Sequence, residues 1–490
     1  MNDIALGIDL ATASARCVAV DIGTGTVVAA ARGPLPPPVR RPGGVSTQPA
    51  GYATVALDLV GRVCRQLGDR ARTVVAVSVT GTSGTVVPCD DAGVPVGAAR
   101  LYDDSSHAAR LDEYGLGGAP TLGRILALHE DIAPSRYASS ADVVGAALTG
   151  HPVASDTSHP LKAGIDPARA TWPSNALRRL GIELATLPAL VPPGTVIGRV
   201  ARDVASRLGL THGVVLVAGM TDGCTAQVAT GAVRRGDSVG VLGTTLVLKA
   251  VSSRRIEAAD GGVYSHLGPD GAWWAGGASS SGAGVLSDAF PHADLAATDD
   301  RVATRPSTVV RYPLSRPGER FPVADRSLPP LESATTENDD DAYRAVLDGV
   351  AFVERLGLER LEALGAFDTP PVAGRRHLLA GGATASPVWN RIRATTLSGV
   401  TGIGATGAIG VVRGAGSAVG AAVLASYGAA GPGASFALTV DAMVGLPTPV
   451  PPDPGQTAAL AERYRRFLDL VATATAHPPA PAPAQGATRV

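Results

Sequence analysis

Val217-Ala218-Gly219-Met220-Thr221-Asp222-Gly223-Cys224 ends one apolar run of this chain, and Gly240-Val241-Leu242-Gly243-Thr244-Thr245 ends the next. In the first, a short strand-like run enters a turn of small residues that holds one carboxylate, Asp222. In the second, a strand-like run enters a glycine-threonine turn. Helix patterns separate such runs along the chain, and most runs stop at a glycine. Strands alternating with helices, each strand closing in a glycine turn, define an α/β protein whose ligands sit at the strand ends.

Working outward, the N-terminus reads as a hairpin. Ile4 to Ile8 and Arg16 to Asp21 are strands, and Gly23-Thr24-Gly25 turns into a third strand, Thr26 to Ala31. Pro34 to Gly44 reads as a loop. Tyr52 to Leu67 is a helix with Val55, Leu59, Val60 and Val63 at helical spacing. Val74 to Val79 is a buried strand running into Thr80-Gly81-Thr82-Ser83-Gly84-Thr85, and residues 120 to 150 are mostly helical. In the second half, Ala342 to Leu364 is an amphipathic helix, His377 to Ala380 a strand entering Gly381-Gly382-Ala383, and Trp389 to Leu397 a further helix. Gly414 to Ser426 is helical and rich in small residues, fit for close packing. Pro447 to Pro454 is a linker, Thr457 to Ala474 the last helix, and the Pro/Ala-rich end a disordered tail.

At 490 residues the chain is too long for one ordinary core. A net charge of -1 gives no reason to expect a nucleic-acid or anionic-membrane partner. No run is long and apolar enough to cross a bilayer, and Ile4 to Asp9 reads as a strand rather than a signal peptide. Cys17, Cys64, Cys89 and Cys224 lack metal-ligand spacing and read as reduced thiols of a cytoplasmic protein.

Gly7-Ile8-Asp9-Leu10-Ala11-Thr12-Ala13-Ser14 puts a carboxylate at a strand end and hydroxyls in the turn. Such a turn can hold metal-bound phosphates, Asp9 through magnesium and its water and Thr12 through hydrogen bonds. It can equally be an Asx-type turn closing a hairpin. The hydroxyl-rich loop at Ser83 suits a polyol, and so does the carboxylate of Leu101-Tyr102-Asp103; both are also ordinary turn compositions. Asp222 is either a helix N-cap or a general base, and Gly219 and Gly223 beside it let a ligand approach closely. Gly243-Thr244 and Gly381-Gly382 offer amides and hydroxyls to phosphate. No Walker-type loop and no protein-kinase signature set is present. Together these turns point to phosphoryl transfer from a nucleotide to an alcohol.

On these residues the chain resembles the FGGY carbohydrate kinases. Gly7-Ile8-Asp9 with Thr12 is similar to the family's first phosphate motif, and Gly243-Thr244-Thr245 to its second. Leu379-Ala380-Gly381-Gly382-Ala383 with Ser386, Trp389 and Asn390 is similar to the adenosine motif, and Val346 to Phe352 resembles the C-terminal signature helix. The finer resemblance is to the cyanobacterial and plant type of D-ribulose kinase, a xylulose-kinase-like subgroup. It is carried by Gly81 to Val86, Leu101-Tyr102-Asp103, Gly262 to His266, Trp274 to Ser279 and Pro317 to Asp325.

The resemblance implies two ribonuclease-H-like domains around a central cleft, the actin/hexokinase-like ATPase fold. Residues 1–232 would be the sugar-binding N-terminal domain with the catalytic Asp, and residues 233–475 the ATP-binding C-terminal domain. The helix near 414–426 would be free to pack on the N-terminal domain, and 476–490 would form the tail. Asp222 would be the base. Asp9, Ser83 and Asp103 would contact the sugar, with Asp9 also the magnesium ligand. Thr12, Gly243, Thr244, Gly277, Gly381, Gly382 and Ser386 would line the ATP site. The implied cofactors are ATP and Mg2+, the partner a small sugar or polyol, and the one protein partner left open a second copy of the chain in a homodimer. D-ribulose to D-ribulose 5-phosphate is the leading reaction. Xylulose, ribitol, a larger polyol, or a nucleotide-binding conformational protein without sugar chemistry are the alternatives. Two departures stand out. The family usually has Gly where this chain has Ala11, a cost of about 1 kcal/mol if that turn needs a positive φ. The subgroup's Asn is Asp103 here, which adds a negative charge.

Overall fold

The structure is a computed structural model that describes residues 3–368, 375–400, 403, 409–414 and 416–476. The elements needed below are, in chain order, β1 (Ile4–Leu10), β2 (Ser14–Asp21), β3 (Val27–Pro34), α1 (Tyr52–Leu67), β4 (Val74–Gly81), α2 (Ser140–Thr149), β5 (Val196–Arg199), β6 (Val215–Val217) and α3 (Asp222–Val228). They continue with β7 (Ser238–Leu242), β8 (Leu246–Ser252), α4 (Asp339–Ala363), β9 (His377–Ala380), α5 (Pro387–Leu397), β10 (Ile409–Val411), α6 (Ser417–Ala430) and α7 (Pro454–Ala476). The chain groups into two compact units. The first comprises Met1–Val233, His266–Trp273 and Gly414–Leu446; the second comprises Arg234–Ser265, Trp274–Arg413 and Pro447–Val490. The tail from residue 477 lies outside the described residues.

The first unit is a six-stranded sheet in the order β5-β6-β4-β1-β2-β3. β1 runs antiparallel to β2 and parallel to β4, and β4 runs parallel to β6. β1 is buried nearly throughout, as its unbroken apolar run requires of a strand covered on both faces. Alternation sorts its side chains. Ile4, Leu6, Ile8 and Leu10 join a core with Tyr52, Ala56, Leu59 and Val60 of α1. Gly7 points the other way, where a Cβ would come within 1.8 Å of the Ala418 carbonyl of α6. Gly420 of α6 is as close to α3, 1.8 Å from the Thr225 carbonyl. The small residues of α6 thus let its backbone approach both β1 and α3.

The second unit repeats the kernel. β7 runs antiparallel to β8 and parallel to β9, and β9 runs parallel to β10, in the order β8-β7-β9-β10. α4 lies in its core with Val346, Leu347, Val350, Phe352 and Val353 buried. Two ion networks are sealed in this core. Glu354 accepts from Arg393 Nε at 2.6 Å and Nη2 at 2.7 Å and from His377 Nε2 at 3.1 Å. Asp348 pairs with Arg344 at 2.8 Å and with Arg463 of α7. Gly240 makes room for the first network: a Cβ there would lie 1.8 Å from Glu354 Oε1.

The segment Pro34–Gly44, expected to be all loop, contains a short strand at Val39–Arg41 that pairs with Val45–Gln48. Ala11 is not among the residues with positive φ, so the alanine cost considered for that turn does not arise.

Candidate functional site

Three neighbouring parallel strands of the first unit end side by side. β4 pairs with β1 so that Thr80 lies beside Asp9 and Gly81 beside Leu10, and Gly81 also bridges to Thr221 just past β6. The sequence therefore delivers Asp9, the Ser83 loop and Asp222 to one sheet edge, the carboxyl ends where α/β proteins place ligands. Gly219 permits this convergence, because a Cβ there would meet the Val79 carbonyl at 2.1 Å.

Asp222 opens α3, following Thr221 at the N-cap, and its Oδ1 accepts the Gly223 amide at 2.6 Å. The turn is tied to β4 through Thr80, whose hydroxyl donates to the Met220 carbonyl at 2.6 Å. Asp9 feels Asp222 directly. Burial first, then the Asp222 charge, push its carboxyl up to about 6 against the pull of Arg16. Its Oδ1 is buried and has no hydrogen-bond partner among the described residues. A buried carboxylate oxygen without a protein partner fits a ligand to Mg2+ or to its water. Among the described residues no group of three or more His, Cys, Asp or Glu could hold a metal.

Thr12 sits in the β1–β2 turn, and its carbonyl accepts Gln48 Nε2 at 2.7 Å. Gln48 is in turn held by the Tyr52 hydroxyl at 2.8 Å. Neither residue was marked by the sequence reading. The Ser83 hydroxyl is also buried without a partner among the described residues. Its loop turns on Gly84, at φ +79, with the Thr82 and Thr85 hydroxyls 2.7 Å apart. Asp103 is placed differently. Its carboxylate is engaged by Arg40 at 2.9 Å and is 31% exposed. Partial burial works against its ionisation, but the Ser46 hydroxyl and the Arg40 guanidinium outweigh it and hold the carboxyl below the usual range. The neighbouring Asp104, buried, organises the loop by accepting the Ser46 amide at 2.7 Å and Arg100 at 3.2 Å.

In the second unit, the turns after β7 and β9 are adjacent because those strands are parallel neighbours. Gly381 adopts φ +93, and a Cβ there would meet the Leu242 carbonyl at 2.4 Å, so only glycine fits. Gly382 and Ser386 line a cavity of about 440 Å³ whose walls include Leu286, Leu295, Tyr343 and Trp389. Ser386 caps α5 by accepting the Trp389 amide at 2.9 Å and donates to Asp299 at 2.5 Å. Asp299 also accepts the Tyr343 hydroxyl at 2.8 Å. Thr244 lines a second cavity of about 750 Å³ with Thr245, Ser280 and three arginines, Arg316, Arg320 and Arg326. Gly243 closes its turn through its own amide to the Thr245 carbonyl at 3.1 Å. Gly277 stands apart from both cavities. It is buried within Trp273–Ala278, where a Cβ would lie 2.4 Å from the Gly262 carbonyl and 2.6 Å from the Phe321 ring, so its glycine serves packing.

The C-terminal domain of the FGGY family of carbohydrate kinases matches residues 239–429. Over that stretch the chain is similar to the FGGY family. A xylulose kinase of Streptomyces coelicolor is 30% identical to this chain over 291 residues, which are 55% of this chain and 59% of the relative's length. The chain thus matches less than two thirds of the curated relatives it resembles. Among solved structures, a xylulose kinase from Brucella ovis superposes with a TM-score of 0.84 at 22% identity, covering 96% of this chain and 99% of its own. A Plasmodium falciparum glycerol kinase with ADP superposes with a TM-score of 0.79 at 15% identity, covering 96% of this chain and 98% of its own. At these identities the likeness speaks for the fold. The actin/hexokinase-like two-domain ATPase fold implied by the resemblance is the fold of this chain.

Proposed function

We propose that this protein is an ATP-dependent kinase of the FGGY type that phosphorylates a primary hydroxyl of a ketopentose, with D-ribulose the leading substrate. The observation that carries the reading is the convergence of Asp9, at the end of β1, and Asp222, just past β6, on the carboxyl ends of the three neighbouring parallel strands β6, β4 and β1, where the Asp222 charge adds to burial in raising the Asp9 carboxyl. Asp222 takes the proton of the sugar hydroxyl. The hydroxyl oxygen attacks the γ-phosphorus, the bond between that phosphorus and the β,γ-bridging oxygen breaks, and ADP leaves with the electron pair. Ser83, with a buried hydroxyl and no protein partner among the described residues, is available to a sugar hydroxyl. Thr12 offers a hydrogen bond to the transferring phosphate. The apolar-walled cavity at Gly382 and Ser386 suits an adenine ring. Asp9 would hold Mg2+, which supplies charge compensation on the phosphates when bound.

A specific observation favours a second substrate: the curated relatives named above are xylulose kinases. Epimers differ by one or two hydrogen bonds, so the deciding experiment is ADP formation with a panel of D-ribulose, D- and L-xylulose, ribitol and xylitol. The expected outcome is the highest kcat/KM with D-ribulose. A maximum with xylulose moves the protein to the relatives' activity. ATP hydrolysis that no sugar stimulates would leave a nucleotide-binding conformational protein instead.

A further inference from the structure

The loop Ser155–His159 contributes nothing to the chemistry above, yet it is sealed in the first unit. Asp156 is 3% exposed, Ser158 1% and His159 2%. Its hydrogen bonds run in one direction. Ser158 Oγ donates to Asp156 Oδ1 at 2.5 Å and accepts the backbone amide of Thr221 at 2.8 Å. The amides of Ser158 and His159 donate to the same Oδ1 at 2.7 and 3.1 Å, and His159 Nδ1 bonds Oδ2. A serine hydroxyl has one proton, and here it is committed to Asp156, so a lone pair is left for Thr221. Thr221 immediately precedes Asp222. On the far side of the same turn, Thr80 holds the Met220 carbonyl.

We propose that Ser158, locked in orientation by the Asp156–His159 pair, is a positioning residue that clasps the Thr221–Asp222 turn and holds Asp222 toward the substrate hydroxyl; this rests on the kinase reading above. Asp9 and Asp222 carry like charges at one sheet edge, and the Ser158 bond adds to the Thr80 bond and the Gly81–Thr221 bridge in holding the turn against their repulsion. The anchor is itself charged. Burial raises the Asp156 carboxyl, but the His159 charge and the bonds from His159 and Ser158 outweigh it, leaving Asp156 below the usual range. His159 is shifted the other way: burial lowers it, and Asp156 above all, with Asp142 and Asp222, raises it further. An ionised acceptor makes the Ser158 bond charge-assisted and stiff.

Two readouts test this. Backbone amide exchange of peptides spanning residues 218–224 should speed up at least about tenfold in Ser158→Ala, with wild-type rates kept in α1 and in the second unit. In the same variant, sugar-dependent kcat should fall roughly a hundredfold with both KM values within about twofold, and Ser158→Thr, which keeps the hydroxyl, should recover most of it. Unchanged exchange at 218–224 overturns the clasp, and so does a rate increase spread over the whole molecule. Fast local exchange with wild-type kcat, or a loss carried by KM, overturns the positioning role. A wild type without any sugar-dependent turnover fails the kinase reading and removes the positioning role with it, while the exchange result still decides whether the clasp exists.

Discussion

Both units are built on the same kernel, a hairpin whose first strand runs parallel to a later one, but they equip their strand ends differently. In the first unit two strand ends carry carboxylates, with Asp9 at the end of β1 and Asp222 past β6. In the second the turns after β7 and β9 hold no carboxylate: Gly243-Thr244 follows β7 and Gly381-Gly382 follows β9. The buried charges of the second unit lie instead deep in its core, where Glu354 and Asp348 meet arginines. One scaffold therefore serves two tasks. An edge with carboxylates can move a proton and hold a cation, whereas an edge of amides and hydroxyls can accept anionic oxygens without repelling them.

The sharpest way to break this contrast is Asp222→Ala. Removing a general base typically costs between about a hundredfold and ten-thousandfold in kcat. Sugar-dependent turnover should fall by that order while ATP affinity, measured by equilibrium titration, stays at the wild-type value. A variant with more than a tenth of wild-type kcat would leave Asp222 a structural carboxylate in the first turn of α3.

The matching cut in the second unit is Arg393→Met. It leaves Glu354 buried without its main counter-charge, which costs about 3–5 kcal/mol. Urea unfolding should show that loss. Adding Glu354→Gln should restore part of it, because the stranded charge is then gone.

Acid sharpens the comparison further. Glu354 titrates at about 2 in the folded chain: burial raises it, but Arg393 and then His377 outweigh that. A depressed carboxyl lends stability that is present above the unfolded value near 4.3 and is lost as pH falls through 2, on the order of 3 kcal/mol in all. Asp9 and Asp142 in the first unit lie at about 6, raised chiefly by burial. Raised carboxyls act oppositely, adding stability as pH falls from 6 towards 4. Amide exchange followed by peptide should therefore show the Asp9 and Asp142 segments more protected at pH 4.5 than at pH 7, and the Glu354 segment less protected only well below pH 4.

Much of this was legible in the sequence, and the limit has a physical cause. The strands, the helix Tyr52–Leu67 and the small-residue packing of Gly414–Ser426 follow from local periodicity, which a single segment carries. The α/β class and the strand-end turns came with them, whereas the actin/hexokinase-like fold came from the family resemblance. What escaped depends on distant partners. Ser158 meets Thr221 across 63 residues and Ser386 meets Asp299 across 87, and neither polar loop announces its partner. Gly277 came to the ATP site through the family resemblance, and the Phe321 ring and Gly262 carbonyl that crowd it are supplied by distant segments that no local pattern announces.

Asp299→Asn tests the nucleotide side. It keeps the shape but takes the charge from the bonds to Ser386 and Tyr343 at the cavity wall. Losing charge assistance there should raise the KM for ATP roughly tenfold with kcat little changed. An equal fall in kcat would mean that this wall acts in the transition state as well.

The smallest effect is expected at Asp103, and it separates a sugar ligand from a surface ion pair. Its carboxylate is held by Arg40, itself 54% exposed, and such pairs contribute only about 0.2–1 kcal/mol. Asp103→Asn should therefore change unfolding free energy by less than about 1 kcal/mol and leave the sugar KM within about threefold. If Asp103 binds the sugar, the same variant should shift the ratio of kcat/KM between D-ribulose and xylulose, because a carboxylate and an amide offer a hydroxyl different partners. A ratio that does not move assigns the residue to loop architecture and leaves epimer choice to the strand-end group at Asp9, Ser83 and Asp222.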